Sequence, residues 1–109
     1  MVEFGREYVL CNRVFSDVKQ VNRLVRAVYA SLGVESFSKV RKGLLRKPKS
    51  FRVVITGRAF SENAGEIVVA VVDDSGNYRH YRRVLLTASA PDSLRVVRRV
   101  VKALSEGAG

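Results

Sequence analysis

The stretch "EIVVAVVDDSGNYRHYRRVLL", residues 66–86, decides the fold. Its first part, Glu66 to Asp74, is apolar at consecutive positions. That suits a strand covered on both faces and therefore central in a sheet. "DSGN" (74–77) then supplies Asp74, Gly76 and Asn77, which tolerate the positive φ angles of a hairpin turn. The chain must return as a strand, and Val84 to Leu86 can anchor that strand in a core. Between turn and anchor the pattern fails. "YRHYRR" places Tyr78, Arg79, His80, Tyr81, Arg82 and Arg83 where a half-buried strand should alternate apolar and polar residues. His80 is the only histidine, and it gains charge at mildly acidic pH. If odd positions share a face, Tyr81 lies between Arg79 and Arg83. If even positions share the other, Tyr78 and His80 lie beside Arg82. Either way ring and charge appear together.

Upstream, "SENAG" (61–65) is a turn, and "SFRVVITGRAF" (50–60) is a strand centred on Val53 to Thr56. Arg52, Thr56 and Arg58 share a polar face opposite Val53 and Ile55. Three strands thus form a meander. Before them, "SKVRKGLLRKPKS" (38–50) carries Lys39, Arg41, Lys42, Arg46, Lys47 and Lys49 with no acid among them. Gly43 and Pro48 punctuate it. It reads as a loop, with room for a short turn of helix or strand around Leu44 and Leu45.

"SDVKQVNRLVRAVYASLG" (16–33) is helical. Val18, Val21, Val25, Val28 and Leu32 recur every three or four residues, Leu24 and Tyr29 widen the stripe, and Lys19, Arg23 and Arg26 lie off it. Ser16 or Asp17 caps the start, with Gln20 in capping-box spacing from Asp17, and Gly33 stops it. "EYVLCNRVF" (7–15) precedes it as a strand. At the other end, "SAPDSLRVVRRVVKALSEGAG" (89–109) is a second helix, capped by Ser89 with Pro91 in its first turn and Asp92 at the box position. Leu94, Val97, Val101 and Leu104, broadened by Val100, are its buried stripe. Arg95, Arg98, Arg99 and Lys102 are its wet face, and Gly107 ends it.

The order is β-α-β-β-β-α. Two amphipathic helices need a surface to cover, and a sheet has a face to offer them. The expected fold is α+β: an antiparallel sheet of about four strands, both helices on one face, the other face open, in one domain over residues 1–109. The stripe at 94, 97, 101 and 104 also has heptad spacing, which keeps a homodimer as an alternative use for it. With only about two heptads, packing on its own sheet is favoured.

Composition narrows the function. A chain that is 47% apolar has enough for a real core. One cysteine, Cys11, excludes an intrachain disulfide and a cysteine-based zinc site. Inside an apolar run it reads as a buried thiol. No run reaches the length of a membrane span, and Glu3 and Glu7 interrupt any leader-like start, so a cytoplasmic protein is expected. Catalysis has little to work with. The one histidine and the one cysteine are 69 positions apart. The adjacent acids Asp73 and Asp74 sit at a hairpin turn, where Asp bonds locally. No glycine-rich phosphate cradle is present. The expectation is a protein that is not an enzyme and takes no cofactor or metal.

Charge points to a partner. Twenty Lys and Arg stand against ten Asp and Glu, a net charge of +10. Such self-repulsion is relieved by a polyanion, and nucleic acid is the default one. A membrane surface is less suited, because it calls for bulky aromatic and leucine anchors. Arginine outnumbers lysine fourteen to six, and arginine forks phosphates and stacks on bases. Proteins that bind single strands combine a basic groove with rings on which bases stack. The expected function is therefore non-catalytic, largely sequence-independent binding of single-stranded DNA, or of single-stranded RNA. Arg52, Arg58, Arg79, Arg82 and Arg83 would contact phosphates. Tyr78, Tyr81 and His80 would stack, and the 39–49 loop would close over the strand. Phe37 and Phe60 stand beside polar loops, as lids on the core or as further stacking rings. The alternatives are a duplex DNA or structured RNA binder, in which only charge matters, and a basic interaction subunit of a nucleoprotein complex.

A small, basic, valine- and arginine-rich α+β chain with an aromatic–arginine hairpin and no OB-like barrel pattern resembles the archaeal ThermoDBP-related proteins. Those are single-stranded DNA-binding proteins of hyperthermophiles. The resemblance covers roughly residues 4–106 and lies in composition and element order. It implies a sheet-and-helix cleft that takes in bases, with basic residues along the phosphates. With no tryptophan in the chain, tyrosine and phenylalanine would have to stack. The order α-β-β-β-α also resembles the double-stranded RNA-binding domain. An additional first strand and a last helix without a lysine-rich start set this chain apart from it. An Alba-like chromatin protein has similar size and charge but a different element order.

Overall fold

A computed structural model describes residues 2–41 and 47–107. β3 (Ala64–Asp73) lies between β2 (Phe51–Ser61) and β4 (Tyr78–Leu86), and β1 (Glu7–Phe15) flanks β2 on the other side. All three pairings are antiparallel. The apolar run of β3 is thus central, as its composition requires. Helices α1 (Val18–Ser31) and α2 (Ala90–Gly107) complete the expected β-α-β-β-β-α order.

Both helices cover one face of the sheet. Phe51, Val53, Ile55 and Ala59 of β2 and Ile67, Val69 and Val71 of β3 point under them and are almost fully buried. From α1 come Val21, Leu24, Val25, Val28 and Tyr29, and from α2 come Ala90, Leu94, Val97 and Val101. Burying each such aliphatic side chain stabilises the fold by roughly 1.5–3 kcal/mol. The heptad-spaced stripe of α2 is therefore spent within its own chain. Cys11 is buried, its Sγ lies 3.7 Å from the Val53 carbonyl, and burial raises its pKa.

The helix ends follow local chemistry. Asp17 caps α1, but its Oδ1 accepts from the Lys19 N–H at 2.9 Å rather than from Gln20. Gly33, with φ of 75°, takes the left-handed conformation that ends the helix. Ser89 meets α2 through its carbonyl, which accepts from the Ser93 N–H at 3.0 Å, and its φ of 46° is unusual for a non-glycine residue. The chain between α1 and β2 has no regular structure where it is described. Lys42 and Arg46, and the turn expected around Leu44 and Leu45, lie outside the described residues.

Each strand pairing contains one irregularity. In β1, Leu10 is an extra residue between Val9 and Cys11, so two consecutive side chains, Leu10 and Cys11, enter the core. In β2 the register shifts at Phe60. In β4, His80 pairs with Val71 and Tyr78 with Val72, which leaves Arg79 as the extra residue.

Gly65 lies where β3 passes close to both β2 and the start of α2. A Cβ there would lie 2.5 Å from the Arg58 carbonyl and 3.0 Å from the Ala90 Cβ, and the first of these is backbone that cannot swing aside. Gly65→Ala is expected to cost about 1–3 kcal/mol, read as a lower urea midpoint at unchanged slope.

Candidate functional site

The face of the sheet away from the helices is uncovered, and strand register lays it out as four rows. Val14, Arg52, Val72 and Tyr78 form the first, at the end near the β3–β4 turn. Asn12, Val54, Ala70 and Tyr81 form the second. Val9, Thr56, Val68 and Arg83 form the third, and Glu7, Arg58, Glu66 and Leu85 the fourth. The first two rows set Arg52 and Asn12 among Val14, Val54, Ala70 and Val72, edged by two rings.

The bulge at Arg79 makes that edge. Without it, positions 78 and 81 would face opposite sides. The extra residue turns Tyr78 to the side of Tyr81, and the rings meet edge to face with centroids 6.0 Å apart. They remain 67% and 63% exposed, so the mutual contact leaves most of each ring open to a ligand. Arg79 turns instead to Asp73, whose side chain is only 4% exposed, and bonds it at 2.9 Å. The same carboxylate accepts the Ser75 and Asn77 N–H groups at 2.9 Å each. These bonds, that of Asn77 foremost, hold Asp73 below the ordinary carboxylate value against the opposing effect of burial. The expected local role of Asp73 is thus seen, and Arg79 is part of the turn rather than of the open face.

His80 and Arg82 lie on the helix side, which corrects the expectation that they share a face with Tyr78. Tyr29 of α1 is fully buried, and its hydroxyl is 2.5 Å from His80 Nε2. Burial pushes Tyr29 up to about 12, partly offset by Arg82, so the hydroxyl stays protonated and shares a hydrogen bond with the imidazole. Arg82 donates to the Ser36 carbonyl at 2.7 Å and lies 5.5 Å from the centre of the Tyr29 ring. Phe37 packs on Tyr29 at 5.1 Å and is a lid on the core. His80 is therefore withdrawn from base stacking.

Two residues unmarked as site residues by the sequence reading organise this side. Tyr29 is one. Asn22 is the other: buried on α1, its amide donates to the Val40 carbonyl and accepts the Val40 N–H, both at 2.9 Å. Asparagine is a poor residue for a helix interior, and its place beside Val21 was the available signal.

The remaining candidates divide by what already holds them. Arg58 pairs with Glu7 at 3.2 Å, and Arg83 pairs with Glu66. Arg52 is exposed and, among the described residues, is bonded only to a neutral acceptor, Asn12 Oδ1, at 2.7 Å. Lys39, Arg41, Lys47 and Lys49 are exposed. The Lys49 N–H is 3.3 Å from Asp74 Oδ2, which ties that segment to the β3–β4 turn. Phe60 is 47% exposed at the far end of β2. No known family, no curated protein and no solved structure matches this chain.

His80 gives the fold a pH dependence. Burial foremost, with Arg82 nearby, holds it below the ordinary value of 6.5 against a backbone hydrogen bond to Ser38. The unfolded chain therefore takes up the proton first, and stability is lost as pH falls below about 6.5. The urea midpoint is expected to drop between about pH 7.5 and about pH 5.5, and to drop less in His80→Gln. An equally steep fall in the variant would remove His80 as the cause.

Proposed function

We propose that the chain binds single-stranded nucleic acid without catalysis and largely without regard to sequence. The observation that carries this reading is the placement of Tyr78 and Tyr81 together on an uncovered sheet face, in the rows that hold Arg52. An open four-stranded sheet that displays aromatic rings is a known platform for stacked bases. Every base has a π face, so stacking tolerates any sequence. Arg52 is the cation of this end that no carboxylate neutralises among the described residues, and the Lys47–Lys49 segment adjoins it through the turn. Arg58 and Arg83 mark the limit of the site, because a phosphate there would compete with Glu7 and Glu66. The resemblance to the ThermoDBP-related proteins agrees with this reading through composition and element order.

The test is a pair of alanines. Stacking contributes roughly 1–3 kcal/mol per base, so Tyr78→Ala with Tyr81→Ala should weaken oligo-dT binding at least about tenfold at fixed salt. Both rings are exposed, so far-UV circular dichroism and the urea midpoint should change little. Unchanged oligo-dT affinity, or a preference for duplex over single strand in the native chain, would overturn the proposal.

A further inference from the structure

Three of the six strand arginines, Arg58, Arg79 and Arg83, are paired with carboxylates, and the net charge is +10. A concentrated unneutralised share lies on the opposite side of the molecule. Lys19, Arg23 and Arg26 are exposed and spaced four and three residues apart, so they share one face of α1. The helix sequence VKQVNRLVRAVYAS holds no acid at all. The Asn22–Val40 amide pair draws the neighbouring segment against this helix, and Lys39 comes with it. Lys19, Arg23, Arg26 and Lys39 then line one depression of about 240 Å³, with Asn22 at its floor.

That depression is not isolated. Arg23 also lines a groove of about 370 Å³ shared with Arg13, between α1 and the end of α2. Arg26 and Lys39 also line one of about 450 Å³ on the other side, where Glu35 is the single acid. The three depressions are neighbours across α1, the central one sharing Arg23 with the first and Asn22, Arg26 and Lys39 with the other. Among the described residues, none of Lys19, Arg23, Arg26 and Lys39 lies within ion-pair distance of a carboxylate, in contrast to Arg58, Arg79 and Arg83. The nearby rings, Phe15 and Phe37, are half-buried against the core, so the track offers charge without a stacking surface.

We infer that this track is a second nucleic-acid site, which grips the phosphodiester backbone alone and lies across the molecule from the tyrosines. A cation cluster held in register by a buried amide pair is preorganised. It meets successive phosphates without first breaking ion pairs of its own, and each contact releases counterions. One chain can then hold two segments at once: one by its bases on the open sheet face, one by its backbone along α1.

The probe is inorganic polyphosphate, which has the charge of the backbone and no bases. Lys19→Ala, Arg23→Ala and Arg26→Ala combined should weaken its binding more than tenfold and reduce the salt slope of log K by roughly 2–3. Arg95→Ala, Arg98→Ala and Arg99→Ala combined remove the same charge from α2 and should cost less than threefold. Tyr78→Ala with Tyr81→Ala should leave polyphosphate binding unchanged, so loss of the stacking reading and loss of this one are distinguishable. All three α1 positions are exposed, and alanine favours helix there; Gln at the same positions serves as a second neutral variant. Equal losses from the two helices, or no loss from α1, would overturn the inference.

Discussion

The fold depends on one buried amide. Residues 36–40 run without regular structure beside β4, and the backbone groups of buried Val40 need partners. Asn22 supplies both bonds to Val40, and Arg82 donates to the Ser36 carbonyl. Phe37 closes the gap against Tyr29. Leaving such groups unpaired costs roughly 1–3 kcal/mol each. The segment is therefore a third layer element beside the two helices, built from side chains instead of a ladder. It also explains the broken pattern of β4. The inner half of that strand, Val84 and Leu86, adjoins the apolar core, while His80 and Arg82 meet this polar segment.

Where elements lie was legible because it follows from local chemistry. The apolar run of β3, the turn at Asp74 to Asn77 and the stripes at 21, 25 and 28 and at 94, 97 and 101 depend on nearby residues only. The bulges were not legible. Whether Leu10, Phe60 or Arg79 is the extra residue depends on the register of a partner strand, which no periodicity within one strand reports.

The candidate site was legible in kind and not in arrangement. Tyrosine and arginine together in residues 78–83 suggested an unusual strand. A single unpaired residue then sorts them: Tyr78 and Tyr81 outward, His80 and Arg82 inward, Arg79 to the turn. Counting basic residues also overstated the charge available to a ligand on the sheet. Glu7 and Glu66 are far from Arg58 and Arg83 in sequence and beside them on the open face. The cations of α1 were visible in the spacing 19, 23, 26, but their convergence with Lys39 needed the long-range bond of Asn22.

The bond between Asp73 and Arg79 has a meaning beyond the turn it shapes. A β-strand carries its side chains with a period of two, so a slip of one residue exchanges its two faces. In β4 such a slip would put the tyrosines under α1 and the imidazole into water. A sheet edge with aromatic and charged residues on both sides has little apolar contrast to oppose that exchange. Asp73 binds Ser75, Asn77 and Arg79 at fixed offsets from itself, and no slipped alignment keeps all three bonds. The carboxylate thus acts as a ratchet pawl for the hairpin: it fixes which of two chemically distinct surfaces the protein shows to the outside.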